Sequence, residues 1–137
     1  MSKKYWLFKS EPGTYSFQTL LKEKETNWNG VRNFQARNFL KEAQVGDLAL
    51  IYHSGTDKAV VGVAEVVRDG FPDPDPNKKG DWVQIGIRAQ AELRSRVPLK
   101  MIKNDSVLKN LLLVKQFQLS VMPVSETAFK RILELGE

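Results

Sequence analysis

A chain of 137 residues with net charge +5, 42% apolar and 27% charged, is long enough for one globular core and too apolar for disorder. It has no cysteine and one histidine, His53, which excludes disulfides, thiolate metal sites, thiol nucleophiles and any site needing two imidazoles. The basic excess, spread along the chain and not gathered in a tail, favours a polyanionic partner.

In chain order, Tyr5 to Lys9 reads as a first strand with Trp6, Phe8 and Ser10 on one face, ended by Glu11-Pro12-Gly13. Ser16 caps a short helix through about Lys24 that buries Phe17, Leu20 and Leu21. Trp28 opens a loop that enters a second helix, from about Asn33 to Ala43, whose inward positions are Ala36, Phe39, Leu40 and Ala43. The period then changes. Leu48 to His53, Ala59 to Arg68 and Trp82 to Leu93 read as strands, the last with Val83, Ile85, Ile87, Ala89 and Ala91 on its apolar face. Phe71 to Asn77, with alternate prolines, reads as a loop. Pro98 to Leu113 suggests short helical turns with Ser106 as a cap. Gln118 to Val124 is a further strand that Pro123 confines to an edge or a bulge. Ser125 then caps a final helix burying Ala128, Phe129, Ile132 and Leu133.

These elements predict an α+β fold of one domain over residues 1–137, a small mixed β-barrel of about five or six strands with helices covering its ends. No stretch has the length of a transmembrane helix or of a signal-peptide core, so no membrane partner is expected, and the missing cysteines fit a cytoplasmic location.

Three segments carry more polar and aromatic side chains than a core needs: Lys9-Ser10-Glu11-Pro12, Trp28 to Asn38, and Tyr52-His53-Ser54. Singly, each has a plain structural reading. Trp28 is then a lid over the core, Asn33 an N-cap and His53 a strand-end histidine; Arg32 and Arg37 form a solvated face, and Lys9 and Glu11 an exposed ion pair. Jointly they describe a pocket for a planar base. Trp28, with Trp6 or Tyr52, offers a stacking face, Ser10, Asn33 and Ser54 read a hydrogen-bonding edge, and Arg32 and Arg37 contact phosphate. That combination suits a nucleobase lifted out of its strand.

The same segments, with Gln35-Ala36-Arg37-Asn38-Phe39-Leu40, Phe71-Pro72-Asp73-Pro74 and Leu119-Ser120-Val121-x-Pro123, resemble the EVE domain family over nearly the whole chain. The resemblance implies a PUA-like fold, related to YTH domains that hold a modified base in an aromatic cage. It also implies binding of modified nucleobases, most of all in DNA, without catalysis, metal or cofactor. It gives Lys9, Ser10, Trp28, Asn33, Tyr52, His53 and Ser54 a pocket-lining role. Phe34 stands where the family usually has tyrosine, and Lys115 and Gln118 stand where arginines are common. Two other readings are an unmodified-RNA binder of the PUA type and a nucleotide-directed enzyme with His53 as general base beside Glu11 and Lys9. The sequence offers that enzyme neither a phosphate-cradling glycine loop nor a metal set.

Overall fold

Strand β1 (Tyr5–Ser10) runs inside the sheet, where Trp6, Leu7 and Phe8 are all buried, as a strand covered on both faces requires. The computed structural model describes residues 3–137. After β1 come α1 (Phe17–Glu23), β2 (Glu25–Trp28), α2 (Phe34–Glu42), β3 (Leu48–His53), β4 (Ala59–Pro72) and β5 (Val83–Pro98). The chain closes with α3 (Leu99–Lys103), α4 (Leu112–Lys115), β6 (Val121–Val124) and α5 (Glu126–Leu135). The strands form a six-stranded sheet in the order β2-β5-β4-β3-β1-β6, with β1 parallel to β3 and the other pairs antiparallel. The ladder ends at β2 on one side and β6 on the other, so the expected barrel is a barrel-like sheet and not a hydrogen-bonded ring.

The capping residues act as their chemistry predicts. Ser16 Oγ accepts from the Thr19 N–H at 3.1 Å, Asn33 Oδ1 from Ala36 at 2.9 Å and Ser125 Oγ from Ala128 at 3.1 Å. Pro123 lies on β6, which pairs with β1 alone, so its missing N–H falls on the open side of an edge strand.

Four expectations are corrected. Glu25–Trp28 is a strand and not a loop, pairing Trp28 with Ile85. Phe71 and Pro72 belong to β4 and pair with Gln84 and Val83, so the loop begins only at Asp73. Ala91 is exposed although alternation placed it inward: the β4–β5 ladder changes register at four points, and each bulge resets which side chains face the core. Ser106 caps neither α3, entered from Pro98, nor α4, entered from Leu111.

The core joins Trp6, Leu7 and Phe8 of β1 to Leu50 and Ile51 of β3 and to Phe17, Leu20 and Leu40 from the helices. No helix among the described residues is long and apolar enough to cross a membrane.

Candidate functional site

The Ser10 end of β1, the Trp28 end of β2 and the entry to α2 meet around a cavity of about 540 Å³. Lys9, Ser10, Trp28, Arg32 and Asn33 all line it, so the structure brings together residues from two separate sequence motifs. Its aromatic wall is built from the core outward. Trp28, only 9% exposed, stacks on Phe8 with ring centres 5.7 Å apart, and Tyr15 meets Trp28 edge-on at 6.2 Å. The wall is therefore anchored before any ligand arrives.

Polar groups ring that wall. The Tyr15 hydroxyl donates to Glu23 Oε1 at 2.6 Å, and burial, then the Glu23 hydrogen bond, push its pKa up, so it stays a neutral donor. The Ser10 hydroxyl donates to the Tyr15 carbonyl and ties the end of β1 to the loop before α1. Asn33 spends its Oδ1 on the α2 cap, which leaves its amide nitrogen for a ligand. Thr14, Thr26, Asn27, Asn29 and Ser120 add further neutral polar groups to the lining, and Glu23 adds a carboxylate. Sequence reading missed Tyr15, Thr26 and Asn27; the signal for Thr26 was its alternation with Trp28 in a strand of four residues.

Gly30 forms part of the rim with φ +81°, a left-handed conformation that favours glycine. Its N–H donates to Asp73 Oδ2 at 2.9 Å. The Arg32 guanidinium reaches the same loop, with Nη1 on Asp73 at 3.0 Å and Nε on Asp75 at 2.8 Å. Arg32, expected to contact phosphate, is held here by carboxylates that latch the Asp73–Asp75 loop to the rim. The two carboxylates between prolines were the sequence signal for that latch.

The latch is pH-dependent with a definite sign. Burial pushes Asp73 up, but the hydrogen bonds from Arg32 and from the Gly30 N–H outweigh it and hold the carboxyl low; the Arg32 hydrogen bond lowers Asp75. Carboxyls with depressed folded pKa values stabilise above their unfolded values and lose that contribution as pH falls through the folded ones. The latch is thus intact from neutral pH down to about 4, near the ordinary carboxylate range, and fails only below it. Arg32→Ala is expected to remove this acid transition from the tryptophan fluorescence and to weaken ligand binding at neutral pH. An unchanged acid profile in that variant would show that the loop is held by something else.

The remaining candidates lie elsewhere. Tyr52 and Ser54 line a second cavity of about 320 Å³ on the other side of Lys9, together with Lys58, Lys103 and Phe117. Lys9 is shared between the two cavities: its ammonium donates to the Phe117 carbonyl and lies 5.6 Å from the centre of the Tyr52 ring. Burial pushes the Lys9 pKa down and the Tyr52 pKa up. No ion pair joins Lys9 to Glu11 among the described residues.

His53, 3% exposed, lines neither cavity. Its Nε2 accepts the Phe17 N–H, a donor at the start of α1, at 3.0 Å. The proton must then sit on Nδ1, which donates to Asp57 at 3.1 Å. That hydrogen bond is the main cause of the lowered Asp57 pKa, and Arg96 adds to it from 3.1 Å. Trp6 is a core residue whose Nε1 donates to Asp47 at 3.0 Å. Arg37 stands outside the cavity, against Phe34 and Trp82.

Comparison with known proteins agrees with the family motifs. Residues 4–135 match the EVE domain. Mouse thymocyte nuclear protein 1 is 31% identical, the alignment covering 97% of this chain and 74% of the mouse protein. A Leishmania major protein of solved structure superimposes with TM-score 0.93 and 35% identity, over 98% of this chain and 95% of that one. The crystal structure of human THYN1 in complex with 5-methylcytosine-containing DNA gives TM-score 0.87 and 30% identity over 98% of both chains. On the family match and these relatives, this chain belongs to the EVE domain family.

Proposed function

We propose that this protein binds DNA carrying a modified base, a modified cytosine first of all, and holds that base in the Trp28 cavity without chemical conversion. The observation that carries this reading is the likeness, over nearly the full length of both chains, to human THYN1 solved with 5-methylcytosine-containing DNA. The cavity chemistry supports it. The volume falls in the range of small-ligand pockets, roughly 300–1,000 Å³. Trp28 and Tyr15 give an aromatic wall, while Ser10, Thr26, Asn27 and Asn33 provide neutral donors and acceptors for a base edge. Lys9 supplies positive charge at the rim for the backbone. Tyr52 and Ser54 extend the surface beyond Lys9. His53 has no part in catalysis in this reading, because both ring nitrogens are committed to holding α1 and Asp57.

The test is a titration of matched oligonucleotides that differ only in cytosine or 5-methylcytosine, as DNA and as RNA, at two salt concentrations. Full burial of one methyl contributes about 0.8 kcal/mol, so methylated DNA is expected to bind roughly fourfold more tightly. Affinity should fall with salt at a log–log slope near −0.7 for each phosphate contacted on a single strand. Equal affinity for plain and methylated strands would overturn the reader, and a preference for plain RNA would establish the PUA-type alternative.

A further inference from the structure

Phe34, the first residue of α2, is 52% exposed although it is large and apolar. It does not stand alone. One face of its ring stacks on Trp82 at 4.9 Å with 27° between the planes. Trp82 is itself 3% exposed and held in place: its Nε1 donates to the Lys78 carbonyl at 2.9 Å, and a Cβ on Gly80 would meet the indole at 2.5 Å. Phe34 therefore rests on a fixed backing.

Neither Trp82 nor Arg37 covers the other face, and half of the residue is exposed. The Arg37 guanidinium lies 4.9 Å from the Phe34 ring centre and 5.8 Å from that of Trp82. If Arg37 and Trp82 covered opposite faces of Phe34, they would be nearly twice as far apart as either is from Phe34. They sit instead on the same side. Arg37 has no carboxylate within ion-pair distance among the described residues; its guanidinium donates only to the neutral Asn38 Oδ1, at 2.8 and 3.2 Å.

The patch is continuous with the cavity. Asn33, next to Phe34, lines the cavity, and Arg32 lines it while lying 5.4 Å over the Trp82 ring. An aromatic ring with one free face, backed by a buried indole and flanked by an uncommitted cation, has the chemistry of a step for stacking a base with its phosphate alongside. We infer that Phe34 stacks the nucleobase adjoining the one held in the Trp28 cavity, and that Arg37 takes the phosphate of that adjoining nucleotide. This rests on the reading of the cavity as a base pocket, and it makes the protein a reader of two successive nucleotides.

The test compares 5-methyl-deoxycytidine monophosphate, followed by NMR titration, with single-stranded DNA heptamers carrying a central cytosine or 5-methylcytosine. Phe34→Leu keeps an apolar contact with Trp82 and removes only the π face. It is expected to lower heptamer affinity roughly 5- to 150-fold, the worth of one base–aromatic stack, without changing mononucleotide affinity or the methylated-to-plain ratio. Phe34→Trp should restore heptamer binding. Arg37→Gln should reduce the salt slope by about 0.7, one phosphate contact fewer. A Phe34→Leu protein that binds the heptamer like wild type would overturn the inference, as would equal losses for mononucleotide and heptamer, which would make Phe34 part of the cavity. Wild-type heptamer binding that ignores the methyl, yet still falls in Phe34→Leu, would reject the base-reading proposal and keep the stacking step. No nucleic-acid binding by wild type would reject both.

Discussion

Trp28→Ala is expected to lose both stability and ligand. The indole is 9% exposed, packs on Phe8 at 5.7 Å and anchors the edge strand β2 opposite Ile85. Truncating a buried aromatic of this size costs about 3–5 kcal/mol, a large share of the roughly 5–15 kcal/mol that holds a typical domain. The same side chain is a wall of the cavity, so binding of the methylated oligonucleotide should fall by a further ~1–3 kcal/mol in the fraction that stays folded. Sequence reasoning posed lid and cage as alternatives; the geometry makes Trp28 a buried core residue that also lines the cavity. Trp28→Phe separates the two roles, because a smaller ring still stacks on Phe8 and still presents a π face. It should recover most of the stability and part of the binding. Urea denaturation with a parallel titration measures both quantities. A folded Trp28→Ala protein that binds normally would remove this cavity as the base site.

Much of the locally encoded fold was legible in the sequence. Ser16, Asn33 and Ser125 were readable as caps because a short oxygen before an apolar helical stripe has one good use there. The bounds of β3 were readable because Leu48 to Tyr52 is a continuous apolar run with a turn before it. β2 was not, since only Thr26 and Trp28 of its four residues face inward and its strand character comes from pairing with β5. The polar stretch of β5 from Glu92 to Arg96 is likewise anchored at its two ends by long-range pairs, Glu92 with Gly62 and Val97 with Val60, and not by its own composition.

The site divides along the same line. Two of the three motifs contribute to one cavity, but which side chains share it depends on topology. Parallel pairing of β1 with β3 sets Lys9 beside Tyr52 and Ser10 beside His53, yet the cavity opens on the β2–α2 side and leaves His53 behind the strand end. The partner of its Nε2, the Phe17 N–H, is 36 residues away and invisible to spacing. The carboxylate partners of Arg32 were hidden for a related reason. A fork-shaped cation is equally suited to phosphate and carboxylate, and only the folded loop shows that Asp73 and Asp75 occupy it.

The second large effect is expected at Asp47, in the turn before β3, and it should touch stability alone. Asp47 is 3% exposed, and its carboxylate gathers three donors: the Lys4 N–H on Oδ1 at 2.9 Å, and on Oδ2 the Trp6 indole at 3.0 Å and the Gln44 N–H at 2.9 Å. One side chain thus ties together the approach to β1, the core indole and the turn after α2. Asp47→Ala strands all three donors, at about 1–3 kcal/mol each when water cannot replace the partner, so a loss of at least about 3 kcal/mol is expected. Asp47→Asn keeps one oxygen. Turned toward Trp6 and Gln44 it satisfies both, and its amide then faces the Lys4 N–H, so this variant should lose only about 1–3 kcal/mol. Asp47 sits at the Tyr5 end of β1 and the cavity at the Ser10 end, so the folded fraction of either variant should bind the methylated oligonucleotide like wild type. Denaturation midpoints ordered wild type, Asn, Ala, with unchanged affinity, are the expected result. An unshifted midpoint in Asp47→Ala would mean that water reaches all three donors. A loss of affinity in step with stability would mean that the two ends of β1 are coupled.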